Sequence, residues 1–83
     1  MHKSTLAILI PTYNEVENIE LLLRSIAAVQ ELHQNWNFHV YVVDDSSPDG
    51  TGAHVNQLAT ELNRTGYQVQ LLTRLKKEGL GKA

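Results

Sequence analysis

Five consecutive apolar residues, Leu6-Ala7-Ile8-Leu9-Ile10, run without interruption until Pro11 stops them. A strand with one face in water alternates polar and apolar residues, whereas an unbroken run asks for cover on both faces, as in the parallel sheets of α/β proteins. The run therefore predicts a first strand over residues 5 to 10 and a layered fold around it. Phe38-His39-Val40-Tyr41-Val42-Val43 is similarly rich in β-branched and aromatic residues and ends at Asp44-Asp45, where charge inside a sheet is costly. This is the second strand. Gln68 to Thr73, with Val69, Leu71 and Leu72, reads as the third.

Between the strands the period changes. Val16, Ile19, Leu22, Leu23, Ile26 and Val29 recur at helical spacing, which predicts a helix from about 15 to 32, with Asn14 and Glu17 as its capping pair. Ser46-Ser47-Pro48-Asp49-Gly50 is turn chemistry, and Val55, Leu58, Ala59 and Leu62 then mark the apolar face of a second helix, with Gly66 as its stop signal. The expected fold class is α/β: a parallel βαβαβ half of a doubly wound, Rossmann-like sheet. If both crossovers move the same way, both helices cover one face and the other stays bare. The chain is then expected to be an incomplete domain, its missing layer supplied by further chain or by a partner, with self-association through the uncovered face as one route.

Composition removes several functions. The 83 residues hold 7 Lys+Arg and 9 Asp+Glu, a net charge of −2, so no basic footprint points to nucleic acid. There is no cysteine, hence no disulfide and no thiolate nucleophile or ligand. No apolar run approaches the roughly 18 residues of a membrane span, and Met1-His2-Lys3 does not open a signal peptide. A cytoplasmic location is expected. His2, His33, His39 and His54 lack metal-ligand spacing, and no Ser/His/Asp arrangement carries an ordering signal, so no metal ligand and no catalytic residue is assigned.

In open α/β sheets ligands sit beyond the carboxyl ends of the strands, and those ends hold the unusual residues. Pro11-Thr12-Tyr13-Asn14-Glu15 follows the first, Asp44-Asp45 the second, and Arg74 with the Gly79-Leu80-Gly81 loop the third. Tyr13 offers a ring to a base, Glu15 and Asp44 offer acceptors to ribose hydroxyls or base N–H groups, and glycines allow close approach. Together they describe a nucleotide pocket. Plainer readings stand beside it: Pro11 and Tyr13 as turn residues, Glu15 as a complement to the helix dipole, Asp49 as a turn or capping residue. Adjacent Asp44 and Asp45 repel each other, and such placement anticipates a cation or several donors. The dinucleotide fingerprint is missing after the first strand, and the phosphate-loop pattern fails at Lys76 and Ala83. Gly79 and Gly81 are left to shape a loop near a pyrophosphate, with Arg74, Lys76, Lys77 or Lys82 at hand; a solvated basic terminus is the alternative. A receiver-like phosphoacceptor domain would carry its acidic pair after the first strand, not the second.

Ile10-Pro-Thr-Tyr-Asn-Glu15, Val42-Val-Asp-Asp-Ser-Ser-Pro-Asp-Gly-Thr51 and Lys77-Glu-Gly-Leu-Gly81 with Ala83 resemble, in this order, the opening of family 2 glycosyltransferases of the GT-A fold. The likeness is strongest to the dolichol-phosphate mannose (polyprenyl-phosphate glycosyl) synthase branch. It implies that residues 1–83 are the N-terminal, nucleotide-binding part of a catalytic domain. Pro11, Tyr13 and Glu15 would line the base and ribose of a nucleotide-sugar donor of GDP-mannose or UDP-glucose type, Asp44 would bind the base side, and Asp45 would lie close by. The acceptor would be a polyprenyl phosphate at the cytoplasmic membrane surface. A divalent metal, magnesium or manganese, would hold the donor diphosphate through ligands that these residues do not include, so the 83 residues alone are expected to be inactive. One departure is Ser46, where the family commonly has Asn.

Overall fold

The computed structural model describes residues 3–75. Its elements run β1 (Ser4–Thr12), α1 (Ile19–Glu31), β2 (Trp36–Asp44), α2 (Thr51–Leu62) and β3 (Tyr67–Thr73). All three strands are parallel, in the order β1-β2-β3, so both crossovers step the same way. The register is level at the carboxyl ends: Thr12 lies beside Asp44, and Asp44 beside Thr73.

Both helices pack on one face. Ile19, Leu23 and Ala27 of α1 and Val55 and Leu58 of α2 close over Phe38, Val40 and Val42 of β2 and Tyr67 and Val69 of β3, with Ile8 and Ile10 of β1 packed at the margin. Each fully buried Leu, Ile or Val contributes about 1.5–3 kcal/mol. A salt-bridged pair, Arg24 to Glu61 at 2.8 Å, joins the helices on their outer side, and the Tyr67 hydroxyl donates to Leu23 O at 2.7 Å beneath them.

The opposite face has no cover among the described residues. By strand alternation it carries Thr5, Ala7, Leu9 and Pro11, then His39, Tyr41 and Val43, then Gln68, Gln70 and Leu72. The expectation of an apolar second face holds only toward the carboxyl ends, where Leu9 is 67% exposed and Leu72 42%. Toward the amino ends Thr5, Ala7, His39 and Gln68 make it small or polar.

Three boundaries differ from expectation for physical reasons. Strand β1 continues through Pro11 to Thr12, because an edge strand tolerates a residue with no N–H to donate. Helix α1 begins at Ile19 rather than near 15: Asn14 is left-handed at φ 56°, and Glu15 O closes a separate turn by accepting from Asn18 N–H (3.0 Å) and Ile19 N–H (2.8 Å). The Asn14/Glu17 capping pair is therefore not formed. Helix α2 ends at Leu62, and Gly66, at φ 93°, belongs to the tight turn that Arg64 and Tyr67 close with reciprocal backbone bonds.

Candidate functional site

Parallel pairing brings the turn after β1 and the turn after β2 side by side, and five hydrogen bonds stitch them. Thr12 Oγ1 donates to Asp44 Oδ1 at 2.8 Å, and Asp45 N–H to Thr12 O at 3.1 Å. Three successive N–H groups then find side-chain acceptors across the gap: Asn14 on Ser47 Oγ (2.8 Å), Glu15 on Thr51 Oγ1 (3.0 Å) and Val16 on Asp49 Oδ2 (3.2 Å). These bonds satisfy the N–H groups of the loop before α1, while at the helix start itself Asn18 N–H and Ile19 N–H donate to Glu15 O in place of a side-chain cap.

Asp44 is at the centre of this stitching and only 2% exposed. Its Oδ1 accepts from the hydroxyls of Thr12 and Ser47 (2.6 Å), and its Oδ2 from Ser47 N–H at 2.8 Å. Burial pushes the carboxyl pKa up, but the two bonds from Ser47 and the one from Thr12 outweigh burial and hold it below its ordinary value. Asp44 is thus an ionised anchor turned inward, with both oxygens engaged. Strand alternation carried the signal: Asp44 shares its parity with Val40 and Val42, which face the helices, whereas Asp45 has the opposite parity.

Asp45 is half-exposed and accepts from Arg74 Nε at 2.6 Å. The same end of β3 is tied down twice more, by Arg74 N–H donating to Asp44 O (2.7 Å) and Ser46 Oγ donating to Arg74 O (2.6 Å). Ser46 holds φ 54°, a left-handed conformation that Asn or Gly adopts at lower cost.

Pro11, Thr12 and Glu15 line a groove of ≈ 240 Å³ between the β1 edge and α1, floored by Ile10, Ile19 and Leu22. Tyr13 stands beside this segment, 48% exposed, an aromatic ring with one side in water. The structure therefore places Pro11 near the end of β1, Tyr13 and Glu15 on the loop that follows and Asp45 on the next loop, and turns Asp44 away from solvent. Gly79 and Gly81, like Lys76, Lys77 and Lys82, lie outside the described residues. Ser47 and Thr51, which carry much of the stitching, show in the sequence only as turn and motif residues, because nothing local to either reveals a partner more than 30 positions away.

The described residues do not assemble a divalent-cation site. Both Asp44 oxygens are taken, Asp45 is paired with Arg74, and among the described residues no three His, Cys, Asp or Glu side chains gather. Nor, among the described residues, is any helix long and apolar enough to cross a membrane.

The sequence profile of Glycosyl transferase family 2 matches residues 7–83. The chain is 41% identical over 76 residues to a polyprenol monophosphomannose synthase of Mycolicibacterium smegmatis and 36% identical over 77 residues to a dolichol-phosphate mannosyltransferase of Pyrococcus furiosus. It is 43% identical over 76 residues to an undecaprenyl-phosphate mannosyltransferase of Micrococcus luteus. These alignments cover 92%, 93% and 90% of this chain but 26%, 20% and 27% of the relatives, so the chain spans about a quarter of their length. No solved structure gives a significant match. With its parallel βαβαβ sheet forming part of a Rossmann-like GT-A fold, the chain belongs to glycosyl transferase family 2.

Proposed function

We propose that residues 1–83 are the N-terminal, nucleotide-binding part of a hexosyltransferase catalytic domain that moves a sugar from a nucleotide-diphosphate donor to a polyprenyl phosphate. The observation that carries this reading is the groove at the carboxyl end of β1, lined by Pro11 and Glu15, with the exposed ring of Tyr13 on the same side and the half-exposed carboxylate of Asp45 on the loop after the neighbouring strand. In this reading Tyr13 lies against the base, while Glu15 and Asp45 accept from ribose hydroxyls or base N–H groups. Asp44 serves the base side through Thr12 and Ser47, which it orients, instead of by contact. Gly79 and Gly81 complete the pocket near the diphosphate.

The donor class, of GDP-mannose or UDP-glucose type, and the lipid acceptor are drawn from the names of the three relatives and the motif resemblance. Such an acceptor places the work at the cytoplasmic surface of a membrane. No described residue is assigned a catalytic step, and no step is routed through a metal at these residues. Transfer by the 83 residues alone is not expected.

Calorimetric titration with GDP and with UDP tests the reading. Binding of one nucleotide that Glu15→Gln weakens about tenfold, the worth of one charged hydrogen bond, is the expected result; no binding of either at millimolar nucleotide would refute it. The exposed apolar carboxyl half of the uncovered face, with Leu9 and Leu72, favours a second reading, a self-associating assembly module. A sedimentation coefficient independent of concentration would remove that alternative.

A further inference from the structure

In doubly wound folds the turn after the first strand aims its backbone N–H groups at a phosphate, since they stand at the positive end of the first helix. Here three N–H groups of that turn, on Asn14, Glu15 and Val16, already donate to Ser47, Thr51 and Asp49. Of the three acceptors only Asp49 is charged, and it reaches in from the turn after the second strand.

Asp49 divides its two oxygens between the two turns. Oδ2 accepts from Val16 N–H, while Oδ1 accepts from Thr51 N–H (3.0 Å) and from the Thr51 hydroxyl. That same Thr51 oxygen receives Glu15 N–H, so one carboxylate governs the donors of two successive residues in the first turn, one directly and one through Thr51.

We propose that Asp49 is a positioning residue: a built-in anion that locks the β1–α1 turn against the β2–α2 turn, sets Tyr13 and Glu15 for base and ribose, and withholds the N–H groups of Glu15 and Val16 from the donor diphosphate. This rests on the nucleotide-binding reading given above. Asp49 is suited to the task because hydrogen bonds to an ionised acceptor are shorter and stronger than those to a neutral one. The Thr51 hydroxyl first, then the N–H groups of Val16 and Thr51, hold its carboxyl below the ordinary range, so the anion persists at neutral pH. A plain turn or capping residue, the simplest reading of Pro48-Asp49-Gly50, needs only the bonds to Thr51. The bond to Val16, 33 positions away, is what a cap has no use for.

Two variants separate the roles. Asp49→Asn keeps a carbonyl oxygen for Thr51, but sets an NH₂ group against Val16 N–H; Asp49→Ala removes both sets of bonds. Amide hydrogen exchange of the unliganded 83-residue chain is read first. The Asn variant should lose about tenfold or more of the protection at Val16 while Val40, Val69 and His54 keep theirs. GDP and UDP are then titrated: both variants should lose about tenfold in affinity, although the Asn variant keeps a Tm close to that of the unaltered chain. An Asn variant that retains Val16 protection, or retains affinity where the Ala variant loses it, would reduce Asp49 to a cap of α2 and overturn the proposal. If the unaltered chain binds neither nucleotide, the nucleotide reading falls and the positioning role with it, while exchange at Val16 still decides whether the tether exists.

Discussion

The two ends of the sheet are held together in opposite ways. At the amino end long side chains rooted in helix and turn do the joining. Gln30, buried in α1, donates to Trp36 O at 3.1 Å, and Arg64 reaches Ala27 O and Gln30 Oε1, both at 3.0 Å. At the carboxyl end short side chains in two turns catch each other's backbone, two carboxylates collect the donors, and two non-glycine residues, Asn14 and Ser46, are held left-handed. The amino end ties elements to elements. Left-handed backbone and one inward-turned carboxylate, Asp44, gather where loops must hold a fixed shape in front of solvent, which is the pattern of a binding edge.

The largest expected effect breaks the amino end. Gly66→Ala forces an L side chain to φ 93° and puts its Cβ 2.7 Å from Gln30 Nε2. A loss of about 3 kcal/mol in denaturant unfolding is expected, with nucleotide affinity of the folded chain unchanged. Asp44→Asn breaks the carboxyl end instead, setting an NH₂ group against Ser47 N–H. Urea unfolding should show a loss of about 2 kcal/mol, and here affinity should fall as well. Tyr67→Phe removes only the hydroxyl bonded to Leu23 O; about 1 kcal/mol and no change in affinity is expected. Ser46→Gly relieves the left-handed backbone but loses the bond to Arg74 O, so the net change in stability should be within about 0.5 kcal/mol.

The pH dependence sharpens the same contrast. Asp44 has a folded pKa below its ordinary 3.8, so its contribution is present above that value and is lost as the pH falls through the depressed folded one. Tyr67 runs the other way. Burial raises its hydroxyl from 10.0 to about 12, against a smaller opposing pull from Arg64, so its contribution is present below 10 and is lost as the pH rises toward 12. Acid should loosen the carboxyl end and alkali the amino end. Stability curves of the Asp44→Asn and Tyr67→Phe variants should each lose one of these limbs and keep the other.

Periodicity made the architecture legible: the apolar runs gave three strands, the helical spacing gave the layer above them, and the turn residues placed the candidate site at the carboxyl ends. What sequence spacing hid was long-range and local at once. That Asn14 turns left-handed, delaying α1 to Ile19, depends on N–H groups whose acceptors are Ser47, Thr51 and Asp49, and no local pattern names partners so far along the chain. Asp44 and Asp45 looked alike as adjacent carboxylates, yet pleat parity sends one inward among hydroxyls and the other outward to Arg74. The alternation needed to tell them apart was present, but the strand's length beyond Val43 was not.

The most direct test of the account is a titration of the ¹⁵N-labelled chain with GDP and UDP, followed amide by amide. Shifts are expected at Tyr13, Glu15 and Asp45 and none at Gln30, Arg64 or Gly66. Shifts confined to the amino end, or no shift at millimolar nucleotide, would contradict it.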